Sequence, residues 1–531
     1  MPRLVVVVSI DQFPYEYLER MRPGFRPDGI FLRMCDAGAN FTNCHHGHAF
    51  TKTAPGHSVL LTGSFPRRNG IINNEWFDPA VTGGDKPGQM YCVDDPLVRI
   101  VGTTARDVGR SPKNLLVETL GDKLKLARPG ARVFGISLKD RAAILMAGHA
   151  ADGVYWFEGG NWVTSTYYRP DLPPYLRLFN EQNADQAYLG RTWSLLYPAD
   201  QYTHFYPDDA EFEGQLPGSG RKFPHRLPDK PGKEYYTAMT TSPMGNDYTL
   251  LAARALVEAE QLGKRSSTDL LLLNLSSNDY VGHTFGPHSL EVQDITFRTD
   301  RQLGDFAGFL GQHLAGAPWV LVITSDHGVA PIPEFAVTLK LPAGRGKFNR
   351  EQMQQKIETA LTRALGVPSN AAKYVKKIEE GEVYLDHALL ELQEGKLPAA
   401  ERVVRDELLT DPLVAAAFTR HDLIGQLDAR GLELQFQRAC HPVRSGDILF
   451  ALAPYQVPKG STATHGSPWQ YDTHVPLLFW GAGIRPGRYE TQVTPAAIAP
   501  TLAKLLAIEP PAACEVEPLN EALISSPGAK P

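Results

Sequence analysis

Five short stretches of the chain are continuously apolar: LVVVVSI (4–10), RVFGISL (132–138), DLLLLNL (269–275), WVLVITS (319–325) and VPLLFWG (475–481). A strand with one wet face alternates apolar and polar residues. Runs without that alternation suit strands covered on both faces, as in a parallel sheet between helical layers. Between the runs lie helix-period patterns, among them NLLVETLGDKLKLA (114–127) and DYTLLAARALVEAEQL (247–262). The alternation of the two periods predicts an α/β fold: a doubly wound, mostly parallel sheet with helices on both faces.

Two regions break the rhythm. Residues 155–245 are rich in Tyr, Trp, Pro and Gly, as in NWVTSTYYRPDLPPY and FPHRLPDKPGKEYY. So many aromatic residues argue for a loop-rich cap lying over a site rather than a linker. Residues 340–440 carry their own helical patterns, REQMQQKIETALTRAL and AAERVVRDELLT, and a strand-like GEVYLD. They predict a small α+β insertion. The α/β core then consists of residues 1–154, 246–339 and 441–531. No internal repeat is evident, and the Pro/Ala-rich tail after 505 reads as a surface ending.

Composition adds exclusions. The 531 residues are 43% hydrophobic and 21% charged, ordinary for a globular protein with a large core. The net charge is −6, with no basic stripe, so nucleic acid is not expected as a dedicated partner. No apolar run approaches the roughly 20 residues of a membrane span. The N-terminal MPRLVVVVSID has the positive start and apolar run of an export signal, but the run is short and Asp11 closes it without a cleavage site. It reads as the first core strand. The five cysteines show no CxxC spacing, which argues against a thiolate zinc site and against more than one or two disulfides.

The chemistry lies at the ends of the apolar runs. Asp11 follows the first, Lys139, Asp140 and Arg141 the second, Asp279 and His283 the third, and Asp326 and His327 the fourth. Ligands of open α/β sheets bind beyond the carboxyl ends of the strands. A single Asp there is ordinarily a cap or turn residue; three, two of them with His, point to a site. Carboxylates and neutral imidazoles suit Zn²⁺ without cysteine. His465, in THGSPWQYDTH, is expected to complete a second metal site, because Gly466 lets backbone approach an ion, whereas His474 is expected to pack at a strand start. Two ions roughly 4 Å apart would clamp the attacking and leaving oxygens of a phosphoryl displacement. In TKTAPGHSVLLTG (51–63), Thr53 stands at a predicted helix start. Read alone, it is a cap before Pro55. Beside metal ligands, its hydroxyl sits where a helix N-terminus and an ion both stabilise an alkoxide.

Six stretches in order, SIDQ, TKTAPGHSVLLTGSFPRRNGIINNEW, SLKDRAAI, NLSSNDYVGHTFGPHS, ITSDHGV and THGSPWQYDTHVPLLFWG, run from residue 9 to 481. In them the chain resembles the alkaline phosphatase superfamily, and within it the phosphatases with a threonine nucleophile. The resemblance implies that Thr53 is the nucleophile that becomes phosphothreonine. It implies one zinc held by Asp279, His283 and His465, and another by Asp11, Asp326, His327 and the Thr53 oxygen. Asn74 matches the residue that hydrogen-bonds a phosphoryl oxygen, in preference to Asn73. Lys139 and Arg141, read alone, are a solvated turn. If extended, residues two apart point the same way, so both would face one phosphate. The resemblance makes them phosphate ligands and favours a monoester, a dianion with three free oxygens.

The expected function is therefore alkaline phosphatase: hydrolysis of small phosphate monoesters with two Zn²⁺. The aromatic segment around Tyr155–Tyr168 is expected over the leaving-group side. The nearest alternative is a nucleotide pyrophosphatase/phosphodiesterase, which the same ligands would serve. A sulfatase would carry Cys or Ser in a C/S-x-P-x-R motif, which TAPGH lacks. A non-catalytic module would be expected to have lost a ligand. The resemblance further implies export to the periplasm or medium, although no signal is present, and no feature suggests more than a monomer.

Overall fold

The structure is a computed structural model. It describes residues 1–82, 87–103, 108–344, 346–367, 372–391, 396–425 and 428–524. The end of the Pro/Ala-rich tail, residues 525–531, lies outside them.

All five apolar runs form strands: Leu4–Ile10, Val133–Ser137, Asp269–Leu275, Trp319–Thr324 and Leu477–Gly481. Among the described residues they belong to one ten-stranded sheet. Leu4–Ile10 lies at its centre, parallel to Asp269–Leu275 on one side and Trp319–Thr324 on the other. Val133–Ser137 and Gly153–Glu158 extend the parallel region outward. The flanks are mixed: Leu477–Gly481 joins antiparallel to Trp319–Thr324, then pairs antiparallel with Ala39–Phe41.

The strands lack alternation because both faces are covered. Leu4, Val6, Val8 and Ile10 enter one core, Val5 and Val7 the other, and all six are fully buried. The first core is roofed by the helices Pro243–Ala259 and Leu290–Leu314. The second packs under Thr53–Thr62, Asp140–Ala147 and Ile498–Leu505. This is the expected α/β architecture.

Two details of the core differ from the sequence reading. The helix expected over 114–127 spans only Leu120–Ala127. Thr119 caps it, its hydroxyl accepting from the Asp122 amide while the Asp122 carboxylate accepts from its own, so Leu115, Leu116 and Val117 lie outside the helix in irregular backbone. Residues 155–165 do not begin a loop-rich cover. Gly153–Glu158 and Asn161–Ser165 are an antiparallel hairpin of the central sheet, and Tyr155, Trp156 and Trp162 are buried in the cores. Their aromatic character is that of sheet residues, not of a surface over the leaving group. All five cysteines are free thiols.

The remaining cap residues are loop-rich with short helices such as Pro174–Glu181 and Lys233–Thr240. They reach the helix Ser277–Phe285 at its last turn, where Tyr206 Oη donates to Phe285 O at 3.1 Å and Gly214 N to Thr284 O at 2.7 Å. Within the later insertion, Val375–Glu379, Glu382–Leu385, Ile448–Leu452 and Val414–Thr419 form an antiparallel sheet in that order. Its core includes Phe348, Ile357, Leu361, Val383 and Phe450. This second sheet extends to Leu452, beyond the expected boundary at 440.

Leu272 is fully buried in a strand paired on both sides. Leu272→Ala is expected to lower the free energy of unfolding by about 2–5 kcal/mol, measured by chemical denaturation.

Candidate active site

Strand register brings the site together. Ser9 pairs with Asn274 and with Thr324, so the chain leaves three adjacent parallel strands at one level. Asp11 follows directly. Asp326 lies two residues past Thr324. Asp279 stands in the first turn of Ser277–Phe285, with His283 one turn on along the same face. His465 arrives from a loop, held by its Nδ1 at 2.9 Å from Thr51 O.

The side chains form two groups that meet at His327. Its Nε2 lies 3.1 Å from Asp326 Oδ2 and 3.6 Å from Asp11 Oδ1. Asp279 Oδ1 lies 3.2 Å from His283 Nε2 and 3.7 Å from His465 Nε2. The rings of His327 and His465 stack with centroids 3.5 Å apart. Asp279, His327 and His465, and likewise Asp11, Asp326 and His327, offer ligand atoms that all lie within 4.8 Å of one another.

Electrostatics show what the arrangement lacks. Burial, aided by Asp326, pushes the Asp11 carboxyl up to about 7 despite Lys139. Burial opposes the charges of Asp279 and Asp326 too. There it is outweighed, by His283 and Lys139 for Asp279 and by His327 and His57 for Asp326, so both carboxyls sit below their ordinary range. Burial would lower His327, but Asp326 and Asp11 carry it up to about 9. Burial with the neighbouring His327 drives His465 far down. Asp11 Oδ1, Asp326 Oδ2 and His327 Nε2 are shut off from solvent and face mainly one another, with no well-aligned hydrogen bond among the described residues. Converging carboxylate and imidazole atoms with unused lone pairs fit a divalent cation with oxygen and nitrogen ligands.

Thr53 is the first residue of Thr53–Thr62 and is buried. It is not the cap: Lys52 holds that position, and no side chain caps the helix. Asn74 approaches from the next segment, its Oδ1 accepting from Ala54 N at 2.8 Å. Asn73 faces away, its Nδ2 3.5 Å from Glu380 O in the insertion.

Lys139 and Arg141 are not on a strand, so the two-residue alternation does not apply to them. Lys139 is the extended residue capping Asp140–Ala147, and Arg141 is in the first turn. Lys139 Nζ lies 2.6 Å from Asp279 Oδ2 and 3.0 Å from Asp11 Oδ2, bridging the two groups. Arg141 Nη1 donates to Tyr91 Oη at 3.3 Å.

His474 packs as expected, with Nε2 2.9 Å from Thr42 O and its ring stacked on Tyr15 and His45. Gly466 also meets a local constraint. Its φ is 104°, and a Cβ there would meet Lys52 Cε at 2.6 Å.

Two residues at the site had no role in the sequence reading. Gln12, at φ 58°, donates its backbone N–H to Asp326 Oδ1 at 3.2 Å and its side-chain amide to Asp279 Oδ1 at 2.7 Å. It ties one ligand group to the other. A side chain at Gly282 would strike it, since a Cβ there would lie 1.9 Å from Gln12 Oε1. His57 reaches Thr53 O at 2.8 Å and Asp326 Oδ2 at 3.4 Å through Nδ1, and Asn274 Nδ2 at 3.0 Å through Nε2. Burial pushes it down to about 4, so it is neutral. The only local signal was position: Gln12 follows a strand-end Asp, and His57 lies one helical turn after Thr53.

Comparison with known proteins agrees with this geometry. Residues 5–427 match the family described as type I phosphodiesterase / nucleotide pyrophosphatase. The chain is 34% identical over 515 residues to alkaline phosphatase PhoV of Synechococcus elongatus, covering 96% of this chain and 91% of the relative. It is 34% identical over 530 residues to alkaline phosphatase PafA of Elizabethkingia meningoseptica, covering 98% and 94%. The crystal structure of wild-type PafA superposes with a TM-score of 0.90 at 34% identity, over 98% of this chain and 99% of that one. With a site of this composition at the sheet edge, the chain belongs to the type I phosphodiesterase / nucleotide pyrophosphatase family, in its alkaline phosphatase branch, and is a phosphomonoesterase.

Proposed function

We propose that the enzyme hydrolyses small phosphate monoesters through a phosphothreonine at Thr53, with one zinc ion held by Asp11, Asp326, His327 and the Thr53 oxygen and another by Asp279, His283 and His465. The observation that carries this reading is the convergence of buried ligand atoms from Asp11, Asp326 and His327, all within 4.8 Å of one another, beside the helix that starts at Thr53. Bound ions supply the positive charge that eases loss of the hydroxyl proton and stabilises charge on the leaving oxygen.

The chain's own residues do the rest. The positive end of the Thr53–Thr62 helix dipole favours negative charge on the threonine oxygen and the phosphoryl group. With its Oδ1 engaged by Ala54, Asn74 has its amide N–H left to donate to a phosphoryl oxygen. Lys139 adds a point charge and Arg141 a planar fork, together matching a dianion. The Thr53 O–P bond forms as the bond to the leaving oxygen breaks, and the hydroxyl proton passes through solvent to the departing alcohol. Water then cleaves the threonine ester, releasing phosphate and restoring Thr53. Export to the periplasm or medium belongs to the same reading and rests on the family resemblance; the monomer rests on the sequence, in which no feature suggests a larger assembly.

The competing reading is a diesterase, as the matched family's description names one. Lys139 and Arg141 favour the monoester, because a second ester group removes one of the charged oxygens they would engage.

Thr53→Ala is expected to cut monoester turnover by at least about 10³-fold and to abolish covalent labelling by radioactive phosphate; a labelled variant would contradict the assignment. Arg141→Ala is expected to lower monoester kcat/KM by about 10- to 100-fold and diester kcat/KM far less, compared at a matched leaving group. Equal losses would contradict its role.

A further inference from the structure

Asp140 sits between the two cations proposed to hold the phosphoryl group. A free carboxylate there would pair with Arg141 and repel a dianion. The structure ties up both of its oxygens. Oδ1 accepts from Tyr91 Oη at 2.6 Å and from the Arg141 backbone N–H at 2.6 Å. Oδ2 accepts from Arg110 Nε at 2.9 Å. Arg110 also donates to Asp94 Oδ1 at 2.7 Å, and its guanidinium lies 5.2 Å from the centroid of the Tyr91 ring.

Arg141 is left with one side-chain anchor among the described residues. Its Nη1 donates to the Tyr91 hydroxyl, which passes its own proton toward Asp140. Arg141 Nε is buried without a partner. Tyr91 is well placed to set this geometry. It ends the strand Gln89–Tyr91, paired with Glu75–Phe77 so that Glu75 opposes Tyr91. Cys92 N donates to Asn74 O at 3.0 Å. One small ladder therefore carries Asn74 and the anchor of Arg141 together. Burial and the Asp140 charge hold the Tyr91 phenol well above its ordinary range, so it keeps its proton in alkaline solution.

We infer that Tyr91 and Arg110 are positioning residues: they sequester Asp140 and hold the Arg141 guanidinium unpaired toward the phosphoryl group, and so set the preference for monoesters. This rests on the phosphoryl-binding role proposed for Arg141. Neither residue need touch substrate. Removing the Tyr91 hydroxyl frees Asp140 Oδ1 to capture Arg141; removing the Arg110 charge frees Oδ2 to do the same.

The test is a double-mutant cycle on the zinc-loaded full chain, with Tyr91→Phe, Arg141→Ala and the double variant, and Arg110→Gln as an independent second lesion. Monoester and diester kcat/KM are measured at a matched leaving group, together with inhibition by inorganic phosphate. Tyr91→Phe is expected to lower monoester kcat/KM about tenfold, to weaken phosphate inhibition in parallel, and to leave diester kcat/KM within about twofold. In the Arg141→Ala background the same substitution is expected to cost less than about twofold on the monoester. Arg110→Gln is expected to reproduce the selective loss. Equal losses from Tyr91→Phe in both backgrounds, with Arg141→Ala still selective for the monoester, would overturn the positioning role alone. An Arg141→Ala variant that loses both activities equally would overturn the phosphoryl-binding reading, and this inference with it.

Discussion

Three carboxylates share one buried pocket at the edge of the sheet. Asp11 and Asp326 have no solvent exposure and Asp279 has 3%. A charge taken out of water costs several kcal/mol unless it is compensated; the Lys139 ammonium bridges Asp11 and Asp279, and the His327 ring faces Asp11 and Asp326. The consequences are visible in the side chains: Asp11 is driven toward neutrality, while Asp326 and His327 polarise one another in opposite directions. A fold that concentrates negative charge in this way is organised for cations, and the scaffold around the pocket follows from that demand.

The scaffold meets it with rigid parts. Three parallel strands in fixed register deliver the acids at one level, and the buried faces of those strands leave little freedom to shift. Gln12 then joins the two ligand groups through one residue held in the left-handed region. Such outer-shell hydrogen bonds orient the groups that bind metal. The peripheral segments brace the same centre. The cap fastens the last turn of the helix bearing Asp279 and His283, and the insertion touches Asn73 and pairs Glu380 with Lys52, the neighbours of Asn74 and Thr53.

Much of this was legible in the sequence because it is local or periodic. Strands buried on both faces must be continuously apolar, so Leu4–Ile10 and Asp269–Leu275 announce themselves, and the acids that terminate them are conspicuous against that background. The helix Arg350–Leu365 coincides with its sequence pattern. What escaped depends on partners distant in the chain. The Gln12 contacts span 314 and 267 residues, and no local rule marks a glutamine for that task. The hairpin through Tyr155 and Trp162 was obscured because aromatic residues serve a sheet and a loop-rich cover equally well. The conformation at Lys139 and Arg141 turned on where a strand yields to a helix, and the helix begins between them.

Function follows from charge placed before substrate arrives. In the proposed mechanism, Lys139, Arg141, the start of Thr53–Thr62 and the Asn74 amide act on charge developing at the Thr53 hydroxyl, and groups held in place in advance need little reorganisation in the transition state. The account turns on two ions sharing the pocket. The direct measurement is anomalous scattering at the zinc edge from crystals of the zinc-loaded protein. It predicts two peaks roughly 4 Å apart, one among Asp11, Asp326 and His327 and the other among Asp279, His283 and His465. A single peak, or zinc bound elsewhere with these side chains turned apart, would contradict it.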